Sequence, residues 1–148
     1  YERPISGKGR SQAKALVPLL DAYGITAVHS SDSDRCMQSV KRYAKSINVP
    51  VIPEPALSEE RFLDNPKKVE ARILDLISQH QAMVVCSHRP VMPTILKALA
   101  HATGEDPSRP QWDPKLQPGS FIVLHRAFAP DGTPRIVSME RHQLEEEK

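Results

Sequence analysis

Three stretches of the chain hold side chains able to handle a phosphoryl group. The first is Arg35, in the run Ser30-Ser31-Asp32-Ser33-Asp34-Arg35-Cys36. The segment before it is β-prone and the segment after it has helical periodicity, so Arg35 falls in the first turn of a helix that follows a strand. A guanidinium beside helix N-terminal amides is a good phosphate clamp, because its fork of donors matches phosphate oxygens and the free N–H groups point the same way. A plain surface arginine paired with Asp32 or Asp34 fits the same position. The second stretch is Ser87-His88-Arg89-Pro90, directly after the most apolar strand-like run, Ala82-Met83-Val84-Val85-Cys86. A histidine at a strand's carboxyl end can donate to a phosphoryl oxygen or move a proton, with a capping or core role as the alternative. The third is the pair Glu59-Glu60 in a proline-rich loop. A carboxyl group above a phosphate pocket can protonate a leaving oxygen, although solvated loop glutamates are the plainer reading.

These residues need a scaffold, and the chain alternates strand and helix signals. Ser6 can cap a helix over residues 7–23, with Gly24 placed to end it. A strand over 25–29 leads through the serine and aspartate cluster to a helix over 33–47, and a short strand follows over 49–53. Pro66 opens a helix running to about residue 80, with Val69, Ile73, Leu76 and Ile77 on one face. The run 82–86 reads as a strand buried on both faces, with a helix beginning at Pro90 and ending near residue 101. Residues 120–126 and 135–140 read as two strands joined across Pro130-Asp131-Gly132. This alternation predicts an α/β fold, a three-layer αβα sandwich on a mainly parallel central sheet with an antiparallel edge, forming one domain over residues 1–148. In such sheets the site lies beyond the carboxyl ends of the strands, where Arg35 and His88 fall.

Composition narrows the function classes. With 20 basic against 18 acidic residues the net charge is +2, which carries no footprint for a nucleic-acid polymer. No apolar run approaches the roughly 20 residues that span a bilayer, so no membrane role is expected and a cytoplasmic protein is favoured. Cys36 and Cys86 stand 50 residues apart without metal-ligand spacing, and His29, His80, His101, His125 and His142 show none either. No metal, disulfide or cofactor is expected of this domain.

Taken in order, Arg3-Pro4-Ile5-Ser6-x-x-Gly9-x-x-Gln12-Ala13, Ser30-Ser31-x-x-x-Arg35-Cys36, Leu57-Ser58-Glu59 and Ser87-His88 resemble the histidine phosphatase (phosphoglycerate mutase-like) superfamily. The Arg-Pro-Ile-Ser opening and Ser-His-Arg-Pro-Val are similar to its small bacterial branch, including domains fused after a Nudix (MutT-like) hydrolase in actinobacterial proteins. The resemblance implies a phosphoester hydrolase in which a histidine attacks phosphorus to give a phosphohistidine that water then hydrolyses. It implies that Arg35 and His88, with Ser87 beside it, bind phosphate, and that Glu59 or its neighbour Glu60 is the proton donor. It further implies a small phosphorylated metabolite or nucleotide as substrate, and an upstream Nudix domain that would need Mg2+. Arg89 and Trp112 can shape a nucleotide pocket, Trp112 by stacking, although a core or anchoring role is the plainer reading for a tryptophan. The family's Arg-His-Gly or Arg-His-Ala nucleophile motif does not occur in the 148 residues, and the expectation is that it lies upstream on an N-terminal strand. The chain alone is then expected to be inactive. Two alternatives stand beside this reading: a non-catalytic phosphate- or nucleotide-binding accessory domain, and a flavodoxin-like binding domain.

Overall fold

A computed structural model describes residues 13–14, 17–18, 20, 22–58, 63–117 and 120–142. Three parallel strands form the first sheet, β1 (Ala27–Ser30), β2 (Val51–Pro53) and β3 (Met83–Cys86), in the order β2-β1-β3. The central strand β1 is buried throughout. An antiparallel hairpin of β4 (Phe121–Phe128) and β5 (Pro134–His142) forms the second sheet, with a register shift at His125/Arg126. Among the described residues the hairpin is thus a sheet of its own, where the sequence predicts an edge continuous with the parallel strands.

The helices form where capping and periodicity agree. The first, α1 (Asp34–Ser46), starts at Ser33, whose hydroxyl accepts from the Cys36 amide, and Asp34 places negative charge in the first turn. Its buried residues Cys36, Val40, Tyr43 and Ala44 recur at i, i+4, i+7 and i+8, the stripe of one helical face. The chain leaves it through Asn48 at φ 60°, a left-handed position that asparagine tolerates better than most residues. The second, α2 (Pro66–Ile77), has proline in its first turn, where the missing N–H leaves no bond unmade. The third, α3 (Met92–Ala102), begins two residues later than Pro90 predicts, because Arg89–Val91 forms a 3-10 turn first. Most of the helix expected over residues 7–23 lies outside the described residues. Ala13 and Leu20, which belong to it, are buried.

Strand alternation sorts the core into two faces of the parallel sheet. Val28 and Val84 pack with Leu20, Val40 and Tyr43 on the α1 side, whereas Met83 and Val85 pack with Ile73, Val91 and Ile95 on the side of α2 and α3. These are the layers of an αβα sandwich. The third cluster joins α3 to the hairpin: Leu96, Ala100 and Trp112 meet Ile122, Leu124, Ile136 and Met139. The Arg126 guanidinium adds a polar tie, donating to the carbonyls of Ile77 and Gln81 at 2.8 Å. No helix among the described residues is long and apolar enough to cross a membrane.

Candidate functional site

The carboxyl ends of β1, β2 and β3 converge because their register places Ser30 beside both Pro53 and Cys86. The next residue of each strand therefore arrives in one region. The Ser31 amide donates to the Cys86 carbonyl at 2.9 Å, extending the β1–β3 ladder by one bond, and the chain then turns into α1 through Ser33. On the β3 side, His88 precedes the 3-10 turn, and its carbonyl accepts from the amides of Val91 and Met92. That backbone anchoring directs the imidazole back over the end of β1. His88 Nε2 lies 2.8 Å from Ser31 Oγ and 3.1 Å from Ser33 Oγ. Cys36 Sγ stands 3.7 Å from the same nitrogen. The histidine is half-buried, so one side stays open to a small solute.

The other residues singled out from the sequence sit differently. Arg35 begins the same helix but is exposed and has no side-chain partner among the described residues. The reason is helical phase: Cys36, Val40 and Tyr43 take the buried face, so residue 35 falls toward solvent. Ser87 does not point its hydroxyl proton at a ligand, for it donates to the Leu57 carbonyl at 2.7 Å and ties the loop after β2 to the end of β3. Arg89 is exposed. Trp112 is 2% exposed within the α3 cluster, so it presents no open ring face for stacking and fills core space instead. Glu59 and Glu60 lie outside the described residues. A groove of about 260 Å³ lined by Pro55, Ala56, Asp64, Asn65 and Lys68 flanks that loop in sequence.

Below this rim lies a polar group that the sequence reading leaves among structural residues or does not single out. Glu54, the residue after β2, is 4% exposed, and its carboxylate accepts from Arg72 Nε at 2.6 Å and from a second guanidinium nitrogen at 2.7 Å. His29 Nδ1, on the adjacent strand, lies 2.9 Å from Glu54 Oε1. Burial alone would raise the Glu54 carboxyl, but the hydrogen bonds from Arg72 and His29 outweigh it and hold the group below the usual carboxylate range. The bidentate pair fastens α2 to the end of β2. The only sequence signal for it is one carboxylate directly after a strand, with a histidine inside the neighbouring strand.

Ser33 is both helix cap and neighbour of His88, so Ser33→Ala should destabilise the protein by about 1 kcal/mol. Urea denaturation measures this, and Ser33→Asp, which keeps an accepting oxygen, should recover most of the loss. Among the described residues no group of three or more histidine, cysteine or acidic side chains is placed to hold a metal ion.

Residues 2–67 match the sequence model of the Histidine phosphatase superfamily (branch 1). The 8-oxo-(d)GTP phosphatase of Mycolicibacterium smegmatis is 31% identical over 96 residues, 65% of this chain and 30% of that protein. The chain thus corresponds to less than a third of that relative's length. The protein histidine phosphatase SixA, solved with tungstate, superposes with a TM-score of 0.62 at 18% identity, over 95% of this chain and 85% of that one. A Nakamurella multipartitia protein assigned as a phosphohistidine phosphatase SixA gives 0.67 at 20% identity, over 95% and 86%. The fold is therefore the α/β sandwich of the phosphoglycerate mutase-like histidine phosphatases.

Proposed function

We propose that this chain is a member of the histidine phosphatase superfamily, a reading supported by the match of residues 2–67 and by the shared fold, and that it is the phosphate-recognising part of a phosphoester hydrolase that works through a phosphohistidine. The observation that carries the reading is the position of His88, brought from the end of β3 to within 2.8 Å of Ser31 at the end of β1 and beside the start of α1. His88 at that position, with the guanidinium of Arg35 carried on the first turn of α1, would supply donors suited to the three equatorial oxygens of a phosphoryl group in flight. The nucleophile is a histidine of an Arg-His-Gly or Arg-His-Ala segment upstream of Tyr1. It attacks phosphorus, the bond to the leaving oxygen breaks, and that oxygen takes a proton from Glu59 or Glu60. Water then attacks the phosphohistidine and releases inorganic phosphate. The upstream strand fits between β3 and β4, a placement supported by the apolar, half-buried residues of both strands. One domain over residues 1–148 would then be completed by that strand.

The substrate in this reading is a small phosphorylated metabolite or a nucleotide. Similarity to an 8-oxo-(d)GTP phosphatase supports the nucleotide, oxidised purines included, and suits a longer polypeptide with a Mg2+-dependent Nudix domain upstream. The test is hydrolysis of an aryl phosphate, with a chelator present, by the polypeptide extended through its upstream strand. Metal-independent release of phosphate, with an acid-labile phosphoenzyme trapped on the upstream histidine, is expected. Residues 1–148 alone should bind tungstate weakly and turn over nothing. Tungstate binding without turnover by the extended protein would instead identify an accessory binding domain.

A further inference from the structure

Ser31 stands between the parallel sheet and the imidazole. Its amide extends the β1–β3 ladder onto the Cys86 carbonyl at 2.9 Å, and the residue has no exposed surface. The hydroxyl is thus fixed from behind, and its hydrogen bonds can be counted. A serine hydroxyl carries one proton and can accept twice. The Ser31 hydroxyl donates to Ser33 Oγ at 3.3 Å and accepts from the Ser33 amide, also at 3.3 Å. That uses its proton and one accepting position. The contact that remains is the shortest of the three, His88 Nε2 at 2.8 Å. Toward the histidine Ser31 can only accept, so Nε2 carries the hydrogen there. Ser33 Oγ lies 3.1 Å from the same nitrogen as a second, longer contact.

We propose that Ser31 is a positioning residue for His88: its hydroxyl oxygen holds the Nε2–H and so fixes both the tilt of the imidazole and the nitrogen that bears the proton. A neutral imidazole exchanges its proton between two nitrogens, and the bond made by one of them decides which form is kept. The amides of Val91 and Met92 anchor the main chain of His88 through its carbonyl. From that anchor the ring can still turn about its two side-chain bonds. The Ser31 oxygen removes this freedom at the far end of the ring, as a buried acceptor that is itself locked to the sheet. A donor aligned before the phosphoryl group arrives needs no reorganisation as charge develops, and its contribution to the rate lies there. For that consequence the proposal rests on the hydrolytic reading above, whereas the place of the proton does not depend on it.

The neighbours of Ser31 are less suited to the task. Cys36 Sγ lies 3.7 Å from Nε2 and 4.0 Å from Nδ1, so it scarcely distinguishes the two nitrogens, while both hydroxyl contacts are to Nε2. Ser33 Oγ already accepts from the Cys36 amide and from the Ser31 hydroxyl, which occupies both of its accepting positions. Without the Ser31 hydroxyl, Nε2 keeps only the longer of its two oxygen contacts.

The experiment has two parts. Long-range proton–nitrogen correlation spectra of the isotope-labelled chain, recorded at a pH where the imidazole is neutral, should show the His88 hydrogen on Nε2 and a bare Nδ1. In Ser31→Ala the two nitrogen shifts should move toward each other as both tautomers become populated. Hydrogen on Nδ1 in the wild type, or unaltered shifts in the variant, would overturn the proposal, and the wild-type spectrum decides the first point even if the variant fails to fold. In the polypeptide extended through its upstream strand, Ser31→Ala should lower kcat for an aryl phosphate about tenfold with KM nearly unchanged, the size of one lost hydrogen bond. The same substitution in a His88→Ala background should lower it no further, since Ser31 acts through the imidazole. Ser31→Thr, which keeps the hydroxyl, should recover most of the rate. Losses that multiply in the double variant would give Ser31 a role of its own and sink the assignment. Absence of turnover by the parent would instead count against the hydrolytic reading, with the proton on Nε2 still decided by the spectra.

Discussion

Replacing His88 with alanine will lower kcat/KM for an aryl phosphate by about 10²- to 10³-fold in the polypeptide that includes the upstream strand, the size of effect seen when one aligned donor to a developing oxyanion is removed. The imidazole is held from behind, by the backbone bonds from Val91 and Met92 to its own carbonyl, so truncation leaves the 3-10 turn in place. The loss should appear in kcat more than in KM, because the charge on the equatorial oxygens is what the donor meets best in flight. His101→Ala, on the exposed face of α3, serves as control and should leave the rate unchanged. Equal rates for the two variants would remove His88 from the chemistry.

The second large effect is on stability. Glu54→Ala should cost about 2–3 kcal/mol at neutral pH, since hydrogen bonds to a buried charge are strong and their loss leaves His29 with neither ring nitrogen partnered. Arg72 tempers the cost because its side chain is 32% exposed and water can solvate it once the carboxylate is gone. The direction with pH follows from the carboxyl being held low in the folded protein. Its stabilisation is fully present above the unfolded value near 4.5 and fades as pH falls through the folded value. Urea titrations of the wild type and Glu54→Ala should therefore differ most at pH 7 and converge in acid. A gap that stays constant from pH 7 to pH 3 would show that packing, and not the ionised carboxylate, is responsible.

Much of the scaffold is legible in the sequence because it depends on local signals. Ser33 as a cap, the stripe from Cys36 to Ala44, Pro66 opening α2 and Gly132 at φ 87° in the hairpin turn each follow from neighbours a few residues away. The strands differ more, as the apolar run 82–86 alone does not say which strand it will lie beside. His88 could be placed at a strand end from the sequence, but its partners could not, since Ser31 and Ser33 read there as a polar loop. The same limit hides the Glu54–Arg72 clamp, which depends on a pairing 18 residues apart in the chain. Arg35 shows the reverse case: its element is correctly foreseen, and its exposure follows from phase against the buried stripe. Trp112 is drawn into the core by the apolar surface that α3 shares with the hairpin, and Ser87 by the Leu57 carbonyl.

The parallel pairing of β1 with β3 also bears on how the molecule forms. Ser31 and His88 are 57 positions apart, and both must wait for a crossover through α1, β2 and α2 to close before they can touch. Contacts of such separation carry the loop-closure entropy of the whole intervening chain, which slows folding relative to local hairpins and helices. Local structure such as α1 or the β4–β5 hairpin can form early, yet nothing short of the docked parallel sheet brings the imidazole to the serines. A partly folded chain, however helical, would therefore contain every residue of the site and none of its geometry.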